Sequence, residues 1–190
     1  MRIIGGQAKW RTLVTPKGRD VRPTTDKIRE ALFSILGDLS GAVVVDGFAG
    51  TGAVGCEALS RGAAMCYFFE PLKAAHDIVV QNVDRVDGAD RAEVLACTFD
   101  RGMKRIATAG AEPIDLFFLD PPYGTGLARQ AVESLAKDPL VTEGALLVVE
   151  QAVDDPPVEH QAFTLDDERT YGSTRLRFLR RRGADAQILK

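Results

Sequence analysis

The sequence predicts an α/β protein built on a mostly parallel sheet, and three observations carry that reading. Short apolar runs rich in β-branched and aromatic residues recur along the middle of the chain, each the length of one strand. Helix-compatible stretches separate them. Several of the runs end in an acid, among them those closing at Asp46, Glu70 and Asp120. Runs that are apolar on both faces belong to strands covered by helices on both sides. Alternation of strand and helix at this spacing gives right-handed crossovers and a parallel sheet. Open α/β sheets place their ligands at the carboxyl ends of such strands, so the three acids mark a site.

Taken in chain order, residues 27–36 carry Ile28, Ala31, Leu32, Ile35 and Leu36 at helical spacing, with Thr24, Thr25 or Asp26 available as a cap. Residues 42–46 form the first strand. A helix over 51–61 follows and stops at Gly62, a residue suited to the position after a helix end. Residues 65–70 are the second strand, 73–83 a helix, 93–97 the third strand and 114–120 the fourth. A helix over 126–136 and a fifth strand over 145–150 complete the alternation. After the turn at Asp154-Asp155-Pro156-Pro157 the pattern changes. Residues 163–165 and 175–180 alternate apolar with polar, as strands with one solvated face do, and predict an antiparallel edge. Residues 1–22, with glycine-marked turns, read as a small β-hairpin extension in front of a main domain over 23–190.

A chain of 190 residues, 45% hydrophobic and 27% charged, has the balance of an ordinary globular protein and enough apolar mass for a core without metals or disulfides. Cys56, Cys66 and Cys97 form no Cys-x-x-Cys pair, and we expect reduced, buried thiols and no metal, as suits the cytoplasm. No run reaches the roughly 18 apolar residues that cross a bilayer, and the apolar start is too short for a signal peptide. The expectation is a cytoplasmic monomer with no membrane partner. The net charge of −3 is unevenly spread. Residues 1–30 carry eight Lys or Arg against three acids, residues 168–190 seven against two, and the middle nine against twenty-two. The two basic ends are either solvated faces or parts of one surface for a polyanion.

Two motifs carry chemistry. Asp46-Gly47-Phe48-Ala49-Gly50-Thr51-Gly52-Ala53-Val54-Gly55 leaves the first strand and opens a helix, and its glycines satisfy G-x-G-x-x-G. Glu70 ends the next strand, where a carboxylate accepts bonds from ribose hydroxyls. A nicotinamide dinucleotide and S-adenosylmethionine both fit that much, which makes the domain Rossmann-like. Asp46 separates them. A carboxylate at the mouth of the loop sits poorly beside a pyrophosphate and well beside the ammonium and cationic sulfur of S-adenosylmethionine. An oxidoreductase is therefore the weaker alternative.

The second motif is Asp120-Pro121-Pro122-Tyr123, directly after the fourth strand. The exocyclic amine of a nucleobase is a poor nucleophile because its lone pair is delocalised into the ring. The Asp120 carboxylate and the Pro121 carbonyl can hold its hydrogens and turn the lone pair toward a methyl group. Proline fixes the backbone and offers no competing N–H. Tyr123 supplies a face on which a base stacks. His76, in a helical pattern, and His160, in a polar loop, are expected to be structural or solvated rather than catalytic.

With these residues in hand, the chain resembles the bacterial RsmD family, which methylates a guanine exocyclic amine in small-subunit ribosomal RNA. The likeness rests on Arg2-Ile3-Ile4-Gly5-Gly6, on the block from Arg22-Pro23-Thr24-Thr25 to Phe33, on Asp46 through Gly55, on Glu57-Ala58-Leu59-Ser60-Arg61-Gly62, on Asp120 through Tyr123 and on Tyr171-Gly172-Ser173-Thr174. It implies a class I methyltransferase with a seven-stranded, mostly parallel sheet whose last strand is antiparallel. It implies S-adenosylmethionine as cofactor, held by Asp46, Gly47, Phe48, Ala49, Gly50, Thr51, Gly52, Glu70 and Pro71, with Thr98 at the position facing the adenine amine. It implies RNA contacts from Lys9, Arg11, Lys17, Arg19, Arg22 and Thr24, and as partner the 16S rRNA of the 30S subunit or its assembly intermediate. A DNA amino-methyltransferase, or one acting on another RNA, shares the two core motifs.

Overall fold

The computed structural model describes residues 1–16 and 23–183, and for 23–25 the backbone alone. Its elements are α1 (Pro23–Leu36), β1 (Val43–Asp46), α2 (Ala53–Ser60), β2 (Met65–Phe69), α3 (Lys73–Arg85), β3 (Ala92–Leu95), α4 (Phe99–Thr108), β4 (Leu116–Leu119), α5 (Leu127–Leu135), β5 (Leu146–Ala152), β6 (Phe163–Tyr171) and β7 (Thr174–Arg181). The seven strands have the order β3-β2-β1-β4-β5-β7-β6. The chain forms two compact units, Met1–Gly102 and Met103–Lys190.

In the first unit β1 pairs in parallel with β2, Val43 opposite Met65 and Asp46 opposite Phe68. Strand β2 pairs in parallel with β3, from Cys66 opposite Ala92 to Phe69 opposite Leu95. This register brings the ends of β1 and β2, and so Asp46 and Glu70, to one edge of the unit. Val44, Val45, Phe68 and Phe69 are buried, as both-face apolar strands must be. Helix α2 is buried almost all round, which its small residues allow. Helix α4 was not predicted. Its Phe99, Met103 and Ile106 stand at i, i+4 and i+7 and are all buried, but Gly102 and four charged residues interrupt the pattern.

Residues 1–16 are closed by a single antiparallel bridge between Arg2 and Thr12 and are fastened to α2 and α3 by buried polar side chains. Glu57, wholly buried, accepts the amides of Ile4 (2.8 Å) and Gly5 (2.7 Å) and pairs with Arg61 at 2.9 Å. Ser60 Oγ accepts the Ala8 amide and donates to the Gly5 carbonyl. Asn82 takes both backbone groups of Val14 and also donates to the carbonyl of Thr51 in the glycine loop. Glu57, Ser60 and Asn82 thus each have partners, the condition under which burying them is tolerable.

In the second unit β4 and β5 are parallel, β7 is antiparallel to β5, and β6 is antiparallel to β7, so β7 is the strand that reverses. The strand foreseen over 163–165 runs on through the charged segment to Tyr171, with a bulge between Leu165 and Asp167. An edge strand needs no apolar alternation, which is why the acidic segment could not be read as one. Its acids face the arginines of β7. Arg177 is buried, 2.8 Å from Glu168 and 3.3 Å from Glu159, Arg180 pairs with Asp166, and Arg175 lies 3.7 Å from Glu168. Among the described residues of the basic carboxy-terminal block, Arg169, Arg175, Arg177 and Arg180 are therefore set against acids of their own hairpin.

Candidate active site

One candidate cluster, in the first unit, is the turn between β1 and α2. Gly50 and Gly52 have φ of +55° and +72°, left-handed values that suit glycine and reverse the chain into the helix. The glycines do different work. A Cβ on Gly50 would meet nothing within 4 Å, so its backbone lies against open space, the condition for close approach by a ligand. A Cβ on Gly55 would lie 2.2 Å from the Phe68 ring and 2.8 Å from Cys66 Sγ, so that glycine serves the packing of α2 on β2.

Two buried carboxylates brace the turn. Asp46 is 2% exposed, and its Oδ2 accepts the Gly55 amide at 3.0 Å. Burial pushes its carboxyl up from 3.8 to about 7; the Gly55 amide opposes the shift and nearby Glu70 adds to it. Glu70 accepts the Gly50 amide through Oε2 and the Leu72 amide through Oε1, each at 2.9 Å, which ties the turn to the end of β2. A carboxylate oxygen has two lone pairs, so these bonds leave Glu70 acceptor capacity. Phe48 stacks on Phe99, centroids 5.7 Å apart and planes within 8°, and Phe99 meets Phe69 edge-on. Ala49 is buried, and its amide donates a hydrogen bond to the Phe69 carbonyl at 3.1 Å. Gly47 is buried, Thr51 half-buried, and Pro71 and Thr98 are exposed. Sequence reasoning missed Phe99 because the helix it opens was missed.

These residues fit S-adenosylmethionine: open backbone at Gly50, acids for an ammonium and for ribose hydroxyls, and a stacked aromatic wall suited to adenine. They fit a dinucleotide less well. The Gly55 amide belongs to the first turn of α2, and a pyrophosphate would need that helix end. Asp46 already occupies it.

A second candidate cluster, in the second unit, follows β4. Asp120 and Pro122 are exposed and Pro121 is buried. The Thr125 hydroxyl donates to the Pro122 carbonyl at 2.6 Å, which leaves Pro121 as the proline whose carbonyl that bond does not use. Tyr123 is 44% exposed and anchored at its far end, its hydroxyl donating to Glu150 Oε1 at 2.9 Å and lying 3.2 Å from Thr174 Oγ1. Burial pushes both the Glu150 carboxyl and the Tyr123 phenol up. Glu150 therefore sets the angle of the ring, a role invisible in a strand's last apolar residues. A cavity of about 260 Å³ opens beside the motif, with Pro121, Pro122, Tyr123, Glu150 and Asp155 in its wall.

Of the foreseen RNA contacts, Lys9 and Arg11 are exposed on the amino-terminal segment. Arg11 is engaged, 2.6 Å from Asp87 and donating to the Arg85 carbonyl. Lys17, Arg19 and Arg22 lie outside the described residues, as does the side chain of Thr24, whose backbone belongs to α1.

Fold and motifs define a class I, S-adenosylmethionine-dependent methyltransferase. A family model described as "Conserved hypothetical protein 95" matches residues 1–180, and the chain belongs to that family, the RsmD family. Ribosomal RNA small subunit methyltransferase D of Escherichia coli is 33% identical over 183 residues, which span 95% of this chain and 90% of that one. The Haemophilus influenzae protein of the same name is 32% identical over 90% of this chain and 89% of its own. The solved structure of Escherichia coli yhhF superposes with a TM-score of 0.81 at 30% identity, covering 96% of this chain and 98% of that one. An RNA methyltransferase from Salinibacter ruber, solved with S-adenosyl-L-homocysteine, has a TM-score of 0.65 over 94% of this chain and 99% of its own. At 14% identity that likeness shows the fold alone.

Proposed function

We propose that the chain methylates the exocyclic amine of a guanine in the 16S rRNA of the small ribosomal subunit, on the 30S particle or its assembly intermediate. The observation that carries the reading is the Asp120-Pro121-Pro122-Tyr123 segment with Tyr123 anchored through Glu150 and Thr174. Asp120 and the Pro121 carbonyl accept the two amine hydrogens and turn the lone pair out of conjugation. Tyr123 stacks the base, and its anchored hydroxyl fixes the plane in which the amine is presented. S-adenosylmethionine, when bound, supplies a methyl group on a cationic sulfur that needs no covalent enzyme intermediate.

Asp46 holds the ammonium end of the cofactor, Glu70 and Pro71 its ribose, and Phe48 and Thr98 its adenine, while Gly47, Ala49, Gly50, Thr51 and Gly52 bring backbone against it. Alignment of amine and methyl group lowers the barrier by roughly 7–11 kcal/mol, which is why no strong base is needed. The target guanine must be unpaired or flipped, since its amine is otherwise engaged. Lys9, Arg11, Lys17, Arg19, Arg22 and Thr24 approach the RNA. The choice of ribosomal RNA and of guanine rests on the named relatives and on the family resemblance.

The test is transfer of labelled methyl groups to unmodified 30S subunits, naked 16S rRNA and duplex DNA, followed by nucleoside mass spectrometry. We expect label on the ribosomal substrates as amino-methylguanosine. Label on DNA, or on adenine, would keep the amine chemistry and overturn the substrate.

A further inference from the structure

We propose that Trp10, flanked by Arg2 and Lys9, is a nucleobase-stacking contact for the RNA substrate, separate from the methylated base. This rests on the RNA reading above and deepens it. The inference begins with an oddity of conformation. Trp10 has φ of +75°, a left-handed value that a bulky side chain rarely adopts. The turn enforces it, because the Trp10 amide donates to the Ile3 carbonyl and the Arg11 amide to the Ala8 carbonyl. An indole kept at such a position is normally buried for its apolar area, yet Trp10 is 60% exposed, the indole standing out from the segment.

Its surroundings name the partner. Arg2 Cζ and Lys9 Nζ each lie 4.7 Å from the indole centroid, within cation–π range. Residues 1–16 carry Arg2, Lys9 and Arg11 and no acid. Arg11 is taken up by Asp87 and the Arg85 carbonyl, so it braces the segment, while Arg2 and Lys9 lie over the indole ring. An exposed indole with two cations held against its ring matches single-stranded nucleic acid, whose phosphates can draw the cations while a base stacks on the ring. A protein partner would bring no matching reason for both cations. The platform is rigid, since Glu57, Ser60 and Asn82 fix the segment beneath it.

Trp10 is the chain's single tryptophan, so intrinsic fluorescence reports on it alone. The experiment titrates the full chain with unmodified 16S rRNA while following that fluorescence. Binding of the same RNA and of 30S subunits is then measured for Trp10→Gly and Trp10→Phe. Glycine suits the left-handed backbone and removes the ring, so lost binding there is not lost fold; unchanged S-adenosylhomocysteine binding verifies this. We expect quenching on titration, RNA affinity lowered on the order of 10- to 100-fold in Trp10→Gly, and recovery of most of it in Trp10→Phe. Methyl transfer by the wild type with no quenching and full affinity in Trp10→Gly would overturn the inference and leave the methylation reading standing. Weakened binding to 30S subunits with unchanged binding to naked rRNA would also overturn it, in favour of a ribosomal protein contact. A wild type that neither binds nor methylates ribosomal RNA would overturn the reading beneath it.

Discussion

The turn after β1 and the segment after β4 both end a buried parallel strand with an acid, yet the two acids live in different worlds. Asp46 is buried and bonded to the backbone of its own helix, whereas Asp120 is exposed. Glu70 repeats the first pattern, with both oxygens on backbone amides, and Tyr123 the second, with only its hydroxyl held. On the roles proposed above, the difference follows from what each region would receive. A small cofactor of fixed shape rewards a cradle built in advance. A base delivered by a macromolecule needs an open approach and a few well-aimed groups.

The comparison can be broken most sharply at Asp120. Replacing it with Ala is expected to lower kcat by roughly 10²–10³-fold while S-adenosylhomocysteine binding stays near wild type, because the lost interaction belongs to the transition state. Equal losses of cofactor affinity and turnover would merge the two regions into one. Asp46→Asn is the mirror experiment: it keeps the shape and loses the charge. Cofactor affinity should fall on the order of 10- to 100-fold, as for a charged hydrogen bond worth about 1.5–3 kcal/mol, measured by calorimetry.

The buried position of Asp46 also gives a pH signature. With its carboxyl raised to about 7 in the empty protein, cofactor binding must draw off a proton below that pH. Affinity should therefore weaken as pH falls below about 7 and level off above it, and Asp46→Asn should flatten the profile. The sign for stability is opposite. The folded state holds this proton more tightly than the unfolded chain, so the empty protein loses stability from this group as pH rises from about 4 to about 7.

Smaller effects sharpen the contrast within each region. Gly55→Ala drives a methyl group into Phe68 and should cost about 1–3 kcal/mol of stability, as overpacking does. Gly50→Ala meets no neighbour and bears only its left-handed backbone, about 1 kcal/mol, so its larger effect should be on cofactor affinity. Chemical denaturation and calorimetry on the pair separate the two. The least change is expected for Tyr123→Phe, which keeps the stacking face and drops the hydroxyl's bonds to Glu150 and Thr174, each worth about 0.5–1.5 kcal/mol. A KM rise with little loss in kcat would fit a ring that has become free to tilt.

How much of this was legible in the sequence depended on distance along the chain. The runs that became β1, β2, β4 and β5 announced themselves by local apolarity, and the acids at Asp46, Glu70 and Asp120 by position. Helix α4 hid behind Gly102 and its charges, and Phe99, the partner of Phe48, hid with it. Glu57 reads locally as a solvated helix residue. It is buried because it serves amides 52 and 53 residues away, a relation no local pattern encodes. Composition left the basic block at the carboxy terminus open between a solvated face and a polyanion surface, and the β6–β7 hairpin sets Asp166 and Glu168 against Arg180 and Arg177 of it.

The fastening of the amino-terminal segment has a consequence during synthesis. Ile3, Ala8 and Leu13 are buried in the folded chain, but the side chains that hold their backbone in place, Glu57, Ser60 and Asn82, lie some fifty residues or more downstream. At about 5–20 residues per second, these residues wait several seconds for their anchors to be made. The segment that we propose meets ribosomal RNA is thus made before the side chains that seat it.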